Sequence, residues 1–367
     1  MSTHVETLKV RSGQGDYDVE FPPLVASVAR GLSRIPKAVL VIDRKVAALH
    51  REGLAPVLST LPVLELDATE DEKTLRGVEK VCAWLQTLGG TKQTTLITVG
   101  GGIIQDIACF AAHIYHRGIP WVYVPTTLLS MADSCIGAKC AINFNQFKNQ
   151  LGFFYSPSKV LLCTDFTRTL ADRDVASGYG EILKLMVISS EEKLSRLSAQ
   201  VARGGLRGAD LGGLIRESLE VKRGVIEVDE YEKDLRRILN YGHTFGHALE
   251  SWTDHEIPHG LAVAWGMDLV NYLSWTRGLL SEIHFREIQT FTRAHLPFRL
   301  SRPIDAQGLI AGAKRDKKVA DGQINLILLE RPGKLKIVKT PFDIELEGAI
   351  QDYVTKENIF GPEPLNG

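Results

Sequence analysis

The chain has 367 residues, of which 44% are hydrophobic and 24% charged, with a net charge of −1. That length supports two domains with separate cores, and the near-neutral balance argues against a nucleic-acid binder. No apolar run approaches the ~20 residues of a membrane span, and the N-terminus lacks a charged-then-apolar leader, so neither membrane insertion nor secretion is expected.

In chain order, Val39–Asp43, Val63–Leu66, Thr95–Val99, Trp121–Val124 and Val160–Leu162 read as buried strands. Between the second and third, Lys73 to Leu88 carries apolar residues at helical spacing (Leu75, Val78, Val81, Cys82, Leu85). Repeated strand–helix–strand predicts a parallel sheet with crossover helices. Thr98-Val99-Gly100-Gly101-Gly102-Ile103-Ile104-Gln105-Asp106 follows the third strand and opens a helix. Its glycines admit two readings: close backbone approach to a pyrophosphate at a helix N-terminus, or a plain tight turn. Asp43, at the end of the first clear strand, suits either a ribose hydroxyl or a helix cap.

A polar segment comes next: Pro125-Thr126-Thr127, then Asp133, Gly137-Ala138-Lys139, Asn143 and Lys148-Asn149. We read it as a loop that lines a site, with Lys139 and Lys148 gripping a phosphate, or as a solvated surface loop. From about Asp172 to Phe298 the pattern turns helical, over Val175–Val187, Leu211–Val228, Thr244–Trp252 and Leu261–Trp275. A domain boundary is placed near residue 168, giving units 1–168 and 169–367, with the cleft between them as the default site. Ile324–Leu329 and Leu335–Val338, joined by Arg331-Pro332-Gly333-Lys334, predict a hairpin.

Chemistry concentrates in the second half. Glu181 and Lys184 stand three apart on one helical face, a spacing that usually marks a surface ion pair. Four of the ten histidines fall between His243 and His259. His243 and His247 share one helical face, and His259 follows a spacer long enough to turn the chain back. Neutral imidazoles presented this way suit a divalent ion, while ordinary buried or solvated histidines are the bland alternative. His255 reads as a solvated loop residue. Arg236, four residues before Asn240, is expected on the face of the histidine helix. The five cysteines form no Cys-x-x-Cys pair and read as reduced residues of a cytoplasmic protein.

Taken as a set, Gly100-Gly101-Gly102 with Asp106, Arg117-Gly118-Ile119-Pro120, Pro125-Thr126-Thr127-Leu128-Leu129, Asp133, Lys139, Lys148-Asn149, Glu181 with Lys184, and Leu239-Asn240-x-Gly-His243-Thr-x-x-His247 resemble the sugar phosphate cyclases, whose founding member is 3-dehydroquinate synthase. The resemblance runs from roughly Asp43 to Lys318. It implies an α/β N-terminal parallel-sheet, Rossmann-like NAD domain and a mainly α-helical C-terminal metal-binding domain, assembled as a homodimer. It makes Glu181, His243 and His259 the ligands of zinc or cobalt. Cofactor binding falls to Asp43, Glu70, Lys73, Gly101, Gly102, Asp106, Thr126, Thr127, Lys148 and Thr169. A phosphorylated sugar would be held by Arg117 (reaching across a dimer interface), Lys139, Asn149, Arg236, Asn240 and the pair Lys317 and Lys318. Lys184, Lys222, Asp133 and His247 become catalytic.

The implied reaction is transient oxidation by NAD, β-elimination of phosphate, reduction, and intramolecular aldol closure. Gly137-Ala138-Lys139 and Asn143-Phe144 depart from the dehydroquinate synthase pattern and point to sedoheptulose 7-phosphate and a 2-epi-valiolone type of cyclitol product. Retention of His247 and Asn240 keeps 3-dehydroquinate synthase as the alternative. A polyol dehydrogenase would not need the Lys139 and Lys148-Asn149 set. A metalloprotease would need Glu, not Thr, at position 244.

Overall fold

The computed structural model describes residues 6–145, 147–314, 319–320 and 322–360. The chain divides into two compact units, at Ala171/Asp172.

The first unit contains strands β1 (Thr7–Val10), β2 (Tyr17–Glu20), β3 (Ala38–Asp43), β4 (Val63–Leu66), β5 (Thr95–Gly100), β6 (Trp121–Pro125), β7 (Lys139–Phe144), β8 (Phe147–Phe154) and β9 (Lys159–Leu161). Its helices are α1 (Val25–Leu32), α2 (Arg44–Leu49), α3 (Arg51–Leu58), α4 (Leu75–Thr87) and α5 (Gly102–Ile114). Seven strands form one sheet in the order β1-β2-β9-β6-β5-β3-β4, parallel except for β1 on β2. Leu40, Val41, Ile42, Ile97, Val99 and Val124 are fully buried, because the crossover helices cover the sheet. Reading from β3, the neighbours diverge to β4 on one side and β5 on the other. Such a switch point leaves a crevice outside the carboxyl ends of the strands, where Asp43 and Gly100-Gly101-Gly102 lie.

One sequence expectation changes here, and one of two readings given for Asp43 is realised. The polar segment after β6 is not a loop throughout: β7 and β8 pair antiparallel with Lys139 opposite Phe154 and Ile142 opposite Leu151. Asp43 is the N-cap of α2, its Oδ1 accepting from Lys45 N at 2.9 Å.

The second unit holds α6 (Asp172–Ser189), α7 (Glu191–Gly208), α8 (Leu211–Ile226), α9 (His243–Trp252), α10 (His259–Thr276), α11 (Glu282–His295), α12 (Ala306–Lys314), the strands β10 (Val319–Ala320), β11 (Gln323–Arg331) and β12 (Lys334–Pro341), and α13 (Ile344–Lys356). The expected hairpin is β11–β12, with Gly333 at φ 84° in its turn. Helix α10 is buried almost throughout. Among the described residues no helix is long and apolar enough to cross a membrane.

Glycines set the distance between the helices that matter. A Cβ on Gly260 of α10 would stand 1.7 Å from Ser177 O of α6, and one on Gly180 would stand 2.0 Å from Gly260 O. Gly266 of α10 meets Gly242 O, just before α9, in the same way, at 2.0 Å. Backbone atoms cannot rotate aside as side chains can. Gly260→Ala is therefore expected to cost about 3 kcal/mol in urea unfolding. A loss below about 1 kcal/mol would show that α6 and α10 can separate freely.

Asp268, in the middle of α10, is 1% exposed. Its Oδ2 accepts from Tyr353 Oη at 2.8 Å and from Gln289 Nε2 at 3.2 Å, tying α10 to α13 and α11. Burial pushes this carboxyl up from 3.8 to about 7, against the pull of those two donors. The folded value lies above the unfolded one, so folding favours the protonated form. That contribution is complete below about pH 4 and drains as pH rises to about 7. At about 1.4 kcal/mol per pH unit, the difference is on the order of 4 kcal/mol. Relative to wild type, Asp268→Asn should gain stability between pH 4 and pH 8. Parallel stability–pH curves for the two proteins would refute the assignment.

Candidate active site

In the first unit the cofactor candidates fall into two groups. One is a polar network where α4, α5 and the β7–β8 hairpin meet. Lys73 Nζ pairs with Asp106 Oδ2 at 2.6 Å and donates to Asn149 Oδ1 at 2.8 Å. Asp106 Oδ1 also accepts from Ala141 N at 3.2 Å. Asn143 Nδ2 donates to Glu70 Oε2 at 2.9 Å, and its Oδ1 accepts from Asn149 N at 3.1 Å. Lys148 Nζ stands 3.5 Å from Glu70 Oε1. Burial works against the Lys73 ammonium, but Asp106 beside it more than offsets this and holds it above its usual value. Burial lifts the Asp106 carboxyl, with Lys73 and Ala141 N opposing. For Glu70, too, burial favours the neutral acid; Lys148 and Asn143 overcome it and hold the carboxyl below its usual range. Asn143 had no role from sequence, yet it links Glu70 to Asn149.

The second group lies at the ends of β5 and β6. Gly101 is the N-cap of α5, with no side chain capping the first turn. A Cβ on Gly101 would sit 2.8 Å from Thr127 Cγ2, whereas one on Gly102 would meet nothing within 4 Å. Thr126 N donates to Gly100 O, and the Thr127 hydroxyl donates to Ser130 Oγ. Open space over Gly102, beside uncapped amides at a helix N-terminus, fits the phosphates of a dinucleotide.

The remaining candidates in this unit are Thr169, Asp133, Lys139 and Arg117. Thr169 Oγ1 shares a hydrogen with His50 Nε2 at 2.8 Å. Asp133 is half-buried in the π-type turn Ser130–Ser134. Lys139 is exposed, and Arg117 is exposed on a turn at φ 63°. Ala138, beside Lys139, holds a left-handed φ of 57°, where a Cβ costs roughly 1 kcal/mol or more.

In the second unit three helices each bring a donor. Glu181 comes from α6, His243 and His247 from the first turns of α9, and His259 from the first residue of α10. Donor atoms of His243, His247 and His259 lie within 4.8 Å of one another. Glu181 Oε1 is 3.3 Å from His259 Nε2 and 3.6 Å from His243 Nε2. His243 Nδ1 approaches Tyr241 O at 3.3 Å and His259 Nδ1 approaches Glu250 Oε2 at 3.2 Å. With Nδ1–H donating to those acceptors, both Nε2 atoms are turned toward a carboxylate oxygen. Both Glu181 oxygens are buried: Oε1 faces the two imidazoles and Oε2 the Lys184 ammonium. One carboxylate and the imidazoles thus fit a divalent cation of the zinc or cobalt type. For His259, burial favours the neutral ring, but Glu250 and Glu181 outweigh it and lift the imidazole to about 10, so the locus attracts positive charge.

The Glu181–Lys184 pair is not on the surface as its spacing suggested. Both side chains are 2% exposed or less, and Lys184 Nζ contacts Glu181 Oε2 directly. Lys222 of α8 is likewise buried. Arg236 and Asn240 are not on the histidine helix. They occupy a 3-10 turn, Leu235–Asn240, which Gly242 at φ 79° separates from α9. Arg236 donates to Glu230 O and Asn240 Nδ2 to Glu232 Oε1. His255 is exposed, as expected. Lys317 and Lys318, with Asp316, lie outside the described residues. Glu250 was missed, although a glutamate inside the apolar run Ala248-Leu249-Glu250-Ser251-Trp252, one turn after His247, was a readable signal.

The architecture of a doubly wound sheet followed by a helical unit is shared with a glycerol dehydrogenase of Schizosaccharomyces pombe, at a TM-score of 0.63 and 18% identity. The sequence comparisons place this chain among the sugar phosphate cyclases, a class of carbon–oxygen lyases. The 3-dehydroquinate synthase N-terminal family matches residues 63–177, and the corresponding C-terminal family matches 178–319. The 3-dehydroquinate synthase of Campylobacter concisus is 38% identical over 306 residues, 82% of this chain and 87% of that protein. The 2-epi-5-epi-valiolone synthase from Streptomyces hygroscopicus, with NAD+ and Zn2+ bound, superposes with a TM-score of 0.81 at 28% identity, covering 96% of this chain and 99% of that one. A 2-deoxy-scyllo-inosose synthase complexed with carbaglucose-6-phosphate, NAD+ and Co2+ shares the fold, with a TM-score of 0.84 at 24% identity over 95% and 99% of the two chains. The chain belongs to the 3-dehydroquinate synthase family.

Proposed function

We propose that this protein is an NAD- and divalent-metal-dependent 3-dehydroquinate synthase, which closes the seven-carbon keto acid phosphate of the shikimate route into a carbocycle with loss of phosphate. The observation that carries the cyclase reading is the convergence of Glu181, His243 and His259 on one point. The 38% identity to a 3-dehydroquinate synthase supports the keto acid over the sedoheptulose 7-phosphate that the loop residues suggested. Lys222 and Arg236 supply buried cationic groups for the substrate's carboxylate.

When bound, NAD accepts and returns one hydride, and the cation polarises the oxygen on the carbon being oxidised. Glu181, His243 and His259 hold the cation, and Lys184 keeps Glu181 from being an unpaired buried charge. Asp43, Glu70, Lys73, Gly101, Gly102, Asp106, Thr126, Thr127, Lys148 and Thr169 hold NAD. Lys139, Asn149, Asn240, His247, Arg117 and the pair Lys317 and Lys318 hold phosphate and hydroxyls. Lys184, Lys222, Asp133 and His247 place and move protons. The free cysteines suit a reducing cytoplasm, and a homodimer completes the reading.

Sedoheptulose 7-phosphate is the second substrate reading. It is favoured by Ala138 at left-handed φ beside Lys139 and by the likeness to the valiolone synthase. The purified protein, given NAD and Zn2+ or Co2+, should release inorganic phosphate from the keto acid phosphate with at least about tenfold higher kcat/KM than from sedoheptulose 7-phosphate. The reverse preference selects the second reading. NADH accumulation on a polyol, without phosphate release from either sugar, would replace both by a dehydrogenase.

A further inference from the structure

Among the described residues His259 makes two polar contacts, one through each ring nitrogen. Nε2 faces Glu181 Oε1 at 3.3 Å, and Nδ1 faces Glu250 Oε2 at 3.2 Å. Glu250 is 6% exposed, in the last turn of α9, and its carbonyl accepts from Thr253 Oγ1 at 3.1 Å and from His255 N at 2.8 Å. Its backbone is therefore fixed at the helix end. Gly246, one turn earlier, lets α9 lie against Ala262 and Val263 of α10, which brings the helix bearing the carboxylate close to the helix bearing the imidazole. A carboxylate held in an apolar interior needs a partner. One such partner is the ring nitrogen of His259 that faces away from Glu181.

We propose that Glu250 is the positioning residue of the cation site. It accepts the Nδ1–H of His259, fixes that tautomer, and so commits the Nε2 lone pair to the ion. Its negative charge also makes the imidazole a stronger donor. The inference rests on the cation reading above and extends it to a residue that touches neither ion nor substrate. Outer carboxylates of this kind typically govern metal affinity by 10–100-fold.

The test is metal affinity of the full-length chain, stripped of metal and titrated with Zn2+ against a chromophoric chelator. Glu250→Ala should weaken the Zn2+ Kd by about 100-fold, and Glu250→Gln, which keeps an acceptor but not the charge, by about tenfold. Phosphate release by both variants should recover within a few-fold at high free Zn2+, because the ligands themselves are intact. A purely structural role would lower the thermal midpoint of the metal-free protein without rescue by zinc. An unchanged Kd in a folded Glu250→Ala protein overturns the inference. If that variant does not fold, an unchanged Kd in Glu250→Gln does so. Wild-type protein that takes up no Zn2+ defeats the cation reading itself, whereas tight wild-type binding with indifferent variants defeats only the role of Glu250.

Discussion

Glu181→Gln is expected to lower phosphate release by about a thousandfold or more and to leave the purified protein without bound metal. The substitution conserves volume, so packing along α6 is retained. It removes the sole acidic donor of the proposed ligand set and takes away the negative charge that faces the Lys184 ammonium, which is 2% exposed. Polarisation of an oxygen by a divalent ion is worth several kcal/mol in the transition state, and each 1.36 kcal/mol is a factor of ten in rate. Metal content by elemental analysis, together with phosphate release at saturating substrate, measures both consequences. A variant that keeps stoichiometric metal and works within tenfold of wild type would remove Glu181 from the ligand set.

Lys73→Met carries the second large effect, and it falls on stability as well as on cofactor binding. The Lys73–Asp106 pair is mostly buried and closes at 2.6 Å. Removing one member of such a pair strands the other, at a cost of about 3–5 kcal/mol, whereas replacing both by apolar residues is often neutral. Urea unfolding of Lys73→Met should show that loss, and Lys73→Met/Asp106→Leu should recover most of it. Neither should bind NAD with native affinity, measured by quenching of protein fluorescence. A double variant that regains stability and also binds NAD normally would show the pair to be a structural tie alone.

The parallel core was readable because strands covered on both faces are dominated by apolar residues, as Val39–Ile42 is throughout and Leu96–Val99 is apart from Thr98. The β7–β8 hairpin was taken for a loop because its covered face is carried by only a few residues, Cys140 and Ile142 opposite Phe153 and Leu151, set among the polar Lys139, Asn143, Lys148 and Asn149. Strands β1 and β2 escaped notice because four residues with alternating burial leave too short a pattern. Counting by fours placed Arg236 on the histidine helix. Such counting presumes an unbroken helix, and Gly242 breaks it. The spacing of Glu181 and Lys184 likewise located a pair but not its depth, since i, i+3 geometry is the same at a surface and in a core. His243 and His247 were legible as a pair. That His259 and Glu181 meet them depends on glycine contacts between segments far apart in sequence.

Those contacts bear on which ions the protein can accept. Where two helices rest main chain against main chain, at Gly180 with Gly260 and at Gly242 with Gly266, no side-chain torsion is available to widen the gap. The proposed cage therefore has little room to close further and no side-chain torsion with which to widen. A larger, oxygen-seeking ion such as calcium needs six to eight ligands and a yielding shell, and this scaffold offers it neither. Discrimination among metals is thus written partly into four residues that have no side chain at all.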